Sequence, residues 1–247
     1  MHINRILLIF VLTILTAGIN DLTGRENKSK ETYRNRWRIA FSGGMGYRLS
    51  STKESKQAYL NQGFDALEVN NYFKSVKWGP KASAQIHYLF KQKYGIGIDY
   101  QFHHSSGSMT GTIDPGDAVV LYYGKIHDNI YTNYTGLSFY SNEWLIQNKL
   151  NFYAQTSMGL TLFRQENMSL YTPALITGKA LGVNLETGLE YFVYKNVALG
   201  IHLNYFQSTI SKIKVDDGNS TNTVELDKKQ HEGLGRLDGG AGVKFYF

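Results

Sequence analysis

From Trp37 the chain alternates without a break. One face carries Trp37, Ile39, Phe41, Gly43, Met45, Tyr47 and Leu49, and the other carries Arg38, Ala40, Ser42, Gly44, Gly46 and Arg48. A period of two sustained over thirteen residues fits a β-strand and nothing else. It is longer than the ~5–6 residues usual in globular sheets and matches the ~9–11 residues a tilted strand needs to cross a bilayer. The pattern returns at residues 82–90, 94–102, 150–162, 181–191, 197–205 and 237–247, and more weakly at 130–140, where Leu137 and Phe139 mark the apolar face. High Tyr (18) and Gly (25) with only three Pro suit a chain made mostly of strands.

The connections alternate in length. Residues 50–79, 104–129, 163–180 and 209–233 read as long polar loops, and residues 91–93, 141–149 and 194–196 as short turns. Long loops on one side and short turns on the other give an eight-stranded antiparallel up-and-down transmembrane β-barrel, with extracellular loops, periplasmic turns and both termini in the periplasm. Ten strands would follow if residues 118–123 held part of another hairpin. Within the first loop, Ala58, Leu60, Phe64, Leu67 and Val69 suggest a short helical or packed patch.

Alternation alone leaves open which face is buried. A secreted, soluble, lipocalin-like ligand-binding barrel would turn the apolar face inward. Two features favour the membrane. The polar face is rich in Gly, Ala, Ser, Asn and Gln with isolated charges, as a narrow barrel interior requires. The apolar face ends in aromatics such as Trp37, Tyr47, Tyr88, Phe90, Tyr94 and Phe102, as membrane interfaces favour. A mean hydropathy of −0.31 does not oppose this, because alternating strands average out.

The first residues read as an export signal. His2, Asn4 and Arg5 are polar or basic, residues 6–16 are apolar, and Thr16, Ala17 and Gly18 are small. Residues 1–18 are therefore expected to be a signal peptide, cleaved after Gly18. Residues 19–36 read as a polar periplasmic leader and 37–247 as the barrel. With no Cys in the sequence, disulfides, thiolate metal sites, a thiol nucleophile and an N-terminal lipid anchor on Cys are excluded. The formal charge of +6 is dispersed, and no Lys/Arg run suggests a nucleic-acid partner.

The chain ends Gly242-Val243-Lys244-Phe245-Tyr246-Phe247. Phe245 and Phe247 lie on the apolar face, and this ending resembles the C-terminal assembly signal of outer-membrane barrels. The resemblance implies delivery to the barrel-assembly machinery. The hairpins at residues 88–97 and 191–200 are alike, and resemble the short-turn hairpins of the small outer-membrane β-barrel family of OmpA/OmpX architecture, in the form found in Bacteroidetes-like bacteria. The resemblance covers residues 37–247. It implies the outer membrane of a Gram-negative bacterium as compartment, contact with outer-membrane lipid and lipopolysaccharide, and no cofactor. It carries no specific function. No wall-tethering domain is expected after the barrel.

The ionisable residues on the inward face are Arg38, Arg48, Lys81, His87, Asp99, His103, Glu186, Glu190, His202, Arg236, Asp238 and Lys244. An unpaired buried charge is costly, so these residues are expected to pair into a network that fills the lumen instead of leaving a pore. A small-ion or proton path is the sharper alternative. No metal site is expected, although His87, His103 and His202 point to one interior. Residues 216–219 resemble a calcium loop slightly and read more simply as a turn.

One catalytic alternative stands. His104 and Ser106 share the lipid-facing side with Phe102. A His two residues before a Ser on a barrel strand resembles the His-x-Ser of outer-membrane lipid A deacylases. That resemblance implies His104 as base, Ser106 as nucleophile and an acid such as Asp117 or Asp114. The Asn-Ala that follows the family's Ser is replaced here by Gly107-Ser108, and the family's acid is usually Glu. The plainer reading is a polar rim. The lead expectation is a non-enzymatic barrel with a structural, surface-binding or envelope-complex role. Trp78, Tyr122, Tyr123 and Tyr171 would offer anchors to an envelope protein or glycan.

Overall fold

The computed structural model describes residues 36–90, 93–113, 122–169, 172–226 and 232–247. The signal and leader through residue 35, Asp114, Asp117 and Tyr171 lie outside the described residues. Eight strands close into a ring: β1 (Trp37–Arg48), β2 (Trp78–Phe90), β3 (Tyr94–Ile113), β4 (Tyr122–Ile146), β5 (Leu150–Ser169), β6 (Thr172–Tyr194), β7 (Val197–Ile210) and β11 (Arg236–Tyr246). Each pairs antiparallel with the next, and β11 pairs with β1 from Arg38↔Tyr246 to Arg48↔Arg236. The last residue helps close the ring: Phe247 N–H donates to the Trp37 carbonyl and Trp37 N–H to the Phe247 carbonyl, each at 2.9 Å.

The faces sort as a membrane demands. Leu137 and Leu181 are 77% and 75% exposed on the outside, while Arg38 and Glu190 are 0% exposed inside. A soluble lipocalin-like barrel would reverse this, so that alternative falls.

The ring is lopsided in height. β3 to β6 run for 20, 25, 20 and 23 residues, whereas β1, β2, β7 and β11 run for 11 to 14. Much of 104–129 and 163–180 therefore belongs to strands and not to loops. These extensions invert the phase of the alternation. In the lower part of β5, Leu160 and Leu162 face out and Thr161 faces in; above, Phe163 faces in while Arg164 and Glu166 face out. In β4, Leu137 and Phe139 face out, but Ile126, Ile130 and Tyr134 face in, alternating with Lys125, Asn129 and Asn133. In β7, Leu203 faces out and Phe206 and Ile210 face in. The outer solvent changes from hydrocarbon to water, and the apolar side chains change face with it.

The inverted wall needs a core, and the first loop supplies it. Helix α1 (Lys53–Asn61) and helix α2 (Ala66–Lys77) follow β1. Asp65 caps α2, accepting from Leu67 N–H at 2.8 Å and Glu68 N–H at 3.1 Å. Val69, Tyr72, Phe73 and Val76 fall on one helical face and are buried. The helix lies so close to β3 that a Cβ at Gly107 would come within 2.4 Å of Val76 Cγ2 and 3.0 Å of the Tyr72 carbonyl oxygen. Small residues on the inner face of β3 are what let the helix enter.

The fourth loop adds strands β8 (Lys212–Asp216), β9 (Thr221–Glu225) and β10 (Glu232–Gly233). β8 extends the wall beside β6, and residues 217–220 form the turn to β9, with Asp217 Oδ1 accepting from the Asn219 and Ser220 amides at 2.9 and 2.7 Å.

Candidate functional site

The barrel interior has three tiers. At the extracellular end is an apolar stopper: Phe64, Val69, Tyr72, Phe73 and Val76 from the helical loop meet Met109, Ile126, Ile130, Tyr134, Phe163, Phe206, Ile210 and Leu234 from the wall. At the periplasmic end is a second stopper of Leu89, Tyr140, Tyr153, Ala198 and Tyr246, with Phe192 against it and Trp144 5.0 Å from Phe192. Between them lies the charged layer.

All twelve inward ionisable residues are buried. They pair in amide-bridged groups: Gln85 accepts from Arg38 and donates to Glu186, each at 3.1 Å, and Gln101 accepts from Arg236 at 3.3 Å and donates to Asp99 at 3.0 Å. The lower group centres on Glu190. Arg38 donates to Glu190 Oε1 through Nη2 at 2.8 Å and Nε at 3.2 Å, and Asn151 and Tyr246 donate to Oε2. The Arg38 guanidinium also lies over the Tyr140 ring, 4.5 Å from its centroid. Lys244 reaches this region beside Gly200, where a Cβ would lie 2.2 Å from Nζ. Glu186 is held by neutral donors, Tyr153 Oη at 2.9 Å and Gln85 Nε2 at 3.1 Å.

Higher up, Asp238 accepts from Arg236 Nε at 2.5 Å and Asn204 Nδ2 at 2.7 Å, with Lys81 Nζ 3.4 Å away. Asp99 Oδ2 accepts from Ser157, Gln101 and Asn184 at 2.9, 3.0 and 3.0 Å. Arg48 does not join the other charges. It pairs at 2.8 Å with Glu232 of β10, a residue the alternation did not single out. Sequence reasoning also missed the neutral partners, Gln85, Tyr153, Ser157 and Asn184 among them, because it ranked side chains by charge. Their signal was their place on the inward face.

His87 is taken up by Arg38 at 3.3 Å and Ser138 at 2.8 Å. Among the described residues no three His, Asp or Glu side chains gather as metal ligands.

Beside the upper stopper, and lined in part by its Tyr72, Phe73, Val76 and Ile130, a cleft of about 200 Å³ opens between α1, α2 and the inner wall. Asp128 is its anchor: Tyr72 Oη donates to Oδ2, and Gln165 and Asn167 donate to Oδ1 at 2.7 and 2.8 Å. Burial, and then the Asp128 carboxylate, push the Tyr72 phenol well above its usual range. Ser51, Thr52, Ser55 and the Arg48–Glu232 pair complete the rim. The cleft offers hydroxyl, amide and aromatic groups together.

His104 lies flat on Tyr131, with ring centroids 4.7 Å apart, and its Nε2 has no hydrogen-bond partner among the described residues. Of the loop anchors, Trp78 and Tyr123 are exposed, and the Tyr122 side chain lies outside the described residues.

No family model matches the chain, and no curated protein matches it. Solved structures do. A major outer membrane protein from Thermus thermophilus aligns over 85% of this chain and 99% of its own, at 10% identity and a TM-score of 0.51. Neisserial surface protein A aligns over 85% and 97% (14% identity, TM-score 0.46), and the outer membrane protease OmpT from Escherichia coli over 89% and 100% (11% identity, TM-score 0.45). The fold is that of an outer-membrane β-barrel. The chain's exposed apolar belt is the face that such a fold turns to lipid. At such identities the likeness carries fold and not activity.

Proposed function

We propose that this protein is a non-enzymatic outer-membrane barrel that conducts nothing and presents its braced extracellular half as a binding surface. The observation that carries the reading is the pair of apolar stoppers. An eight-stranded ring leaves room for little beyond side chains, and here aromatic tiers close both ends of the charged layer. The cleft beneath α1 and α2, with exposed Tyr123 and Trp78 outside, forms the surface offered to an envelope protein or glycan. Residues 1–18 serve export, 19–36 form a periplasmic leader, and Phe245 and Phe247 are the assembly signal; the exposure of Phe247 beside the ring closure supports this.

The test is electrical. The purified protein, reconstituted in planar bilayers, should give no conductance steps under voltage that opens a general porin. Regular steps from the wild-type protein would end the closed-barrel reading.

A further inference from the structure

Four cations cluster on the outward face of β5, β6 and β8 where the apolar belt stops. Arg164 lies opposite Thr177, and Thr177 opposite Lys214. One pleat nearer the membrane, Lys179 lies opposite Leu162, and Lys212 shares the outward face of β8 with Lys214. All four cations are exposed. Leu160, Leu162 and Leu181, also exposed, stand directly beneath them. Two residues along a strand span about 7 Å, so charge and hydrocarbon wall are within the reach of one amphiphile.

Anions accompany the cluster without cancelling it. Arg164 Nη2 is 2.6 Å from Glu166 and Lys212 Nζ is 2.9 Å from Glu225, and Asp216 faces outward one pleat above Lys214. Lys179 and Lys214 have no carboxylate partner among the described residues. Elsewhere the same boundary is made mostly of uncharged groups. Tyr47 packs on Trp78 at 5.1 Å, with Lys77 over the Tyr47 ring; Tyr100 Oη donates to Asn133 Oδ1 at 2.9 Å; His104 stacks on Tyr131. Among the described residues, cations at the waterline are thus concentrated in one sector of the ring.

We infer that this sector holds a phosphorylated lipid of the outer leaflet. Its acyl chains lie on Leu160, Leu162 and Leu181, and its phosphate sits between Lys179 and Lys214, with Arg164 at its flank. A headgroup phosphate is drawn by the lysines at a surface where charges are incompletely screened, and the tail gains the apolar wall below. A soluble anion would gain only the first of these. The inference rests on the membrane placement of the belt.

The test uses the full chain in detergent, and native mass spectrometry of its complexes with bisphosphoryl lipid A, with the same lipid stripped of phosphate, and with inorganic phosphate. The wild-type protein should retain bisphosphoryl lipid A preferentially. The double variant Lys179→Gln/Lys214→Gln should bind it about thirtyfold more weakly, about fivefold per lysine. Lys125→Gln, an exposed outward lysine on β4, should bind as wild type. These lysines are exposed, and retained heat-modifiable gel mobility will report an intact barrel.

Equal retention of the dephosphorylated lipid, an unweakened double variant, or displacement of the lipid by equimolar inorganic phosphate would overturn the proposal. A carbonate wash of vesicles separates the two levels. A chain that washes off sinks the membrane placement and the lipid site with it. A chain that stays but shows no phosphate preference sinks the lipid site alone.

Discussion

Replacing Glu190 by Gln removes one negative charge and keeps the shape. In the native barrel Arg38 and Glu190 are both fully buried and joined at 2.8 Å. After the change the guanidinium keeps Gln85 at 3.1 Å and the Tyr140 face, but no carboxylate partner. Breaking one side of a buried pair costs about 3–5 kcal/mol, because the survivor stays charged and desolvated. Removing both charges, with Arg38→Met and Glu190→Gln together, leaves neither member of the pair stranded and should cost less than the sum of the single changes. The coupling should exceed about 2 kcal/mol. Arg48→Met is the contrast, since its partner Glu232 is 44% exposed, and the pair should contribute about 1 kcal/mol or less. The assay is urea unfolding in detergent micelles, followed by tryptophan fluorescence and gel mobility. A Glu190→Gln variant within about 1 kcal/mol of wild type, or additive single and double changes, would refute the reasoning.

Three further predictions follow from the upper half. Gly107→Leu should expel α2 from β3 and expose residues 53–77 to protease while the belt stays protected; unchanged cleavage would deny the close approach. Because the Tyr72 phenol is raised in the folded state, its contribution is complete below the unfolded value of about 10 and is lost as pH climbs through the folded value. The stability of α2, read as protection of residues 53–77 from protease, should therefore fall above about pH 10 in the wild type and fall less in Tyr72→Phe. His104→Ala and Ser106→Ala should leave lipid A acylation unchanged; a changed acyl pattern would revive a hydrolase.

The membrane half of the fold was plain in the sequence because lipid outside and small or polar groups inside make every second residue apolar. The upper half was not, and the reason is physical. Where water replaces lipid, the rule keeps its period but reverses its sign, so Leu162-Phe163 and Tyr205-Phe206 appear as adjacent apolar residues and the strand seems to end. Such doublets were the available signal. Phe64 and Val69 hinted at a packed patch in the first loop, but only the glycines of β3 reveal where that patch docks. Pairings across the lumen, such as Arg38 with Glu190, depend on closure of the ring, which no local pattern encodes.

The reversal of sign also sets depth. β4, β5 and β7 each carry the change independently. A vertical slip of the barrel by one pleat would draw Arg164 and Lys179 toward hydrocarbon on one side or lift Leu160 and Leu181 into water. The chain therefore carries several separate marks of its own draught, and a bilayer of the wrong thickness must deform to meet them because the barrel has no register to which it can move.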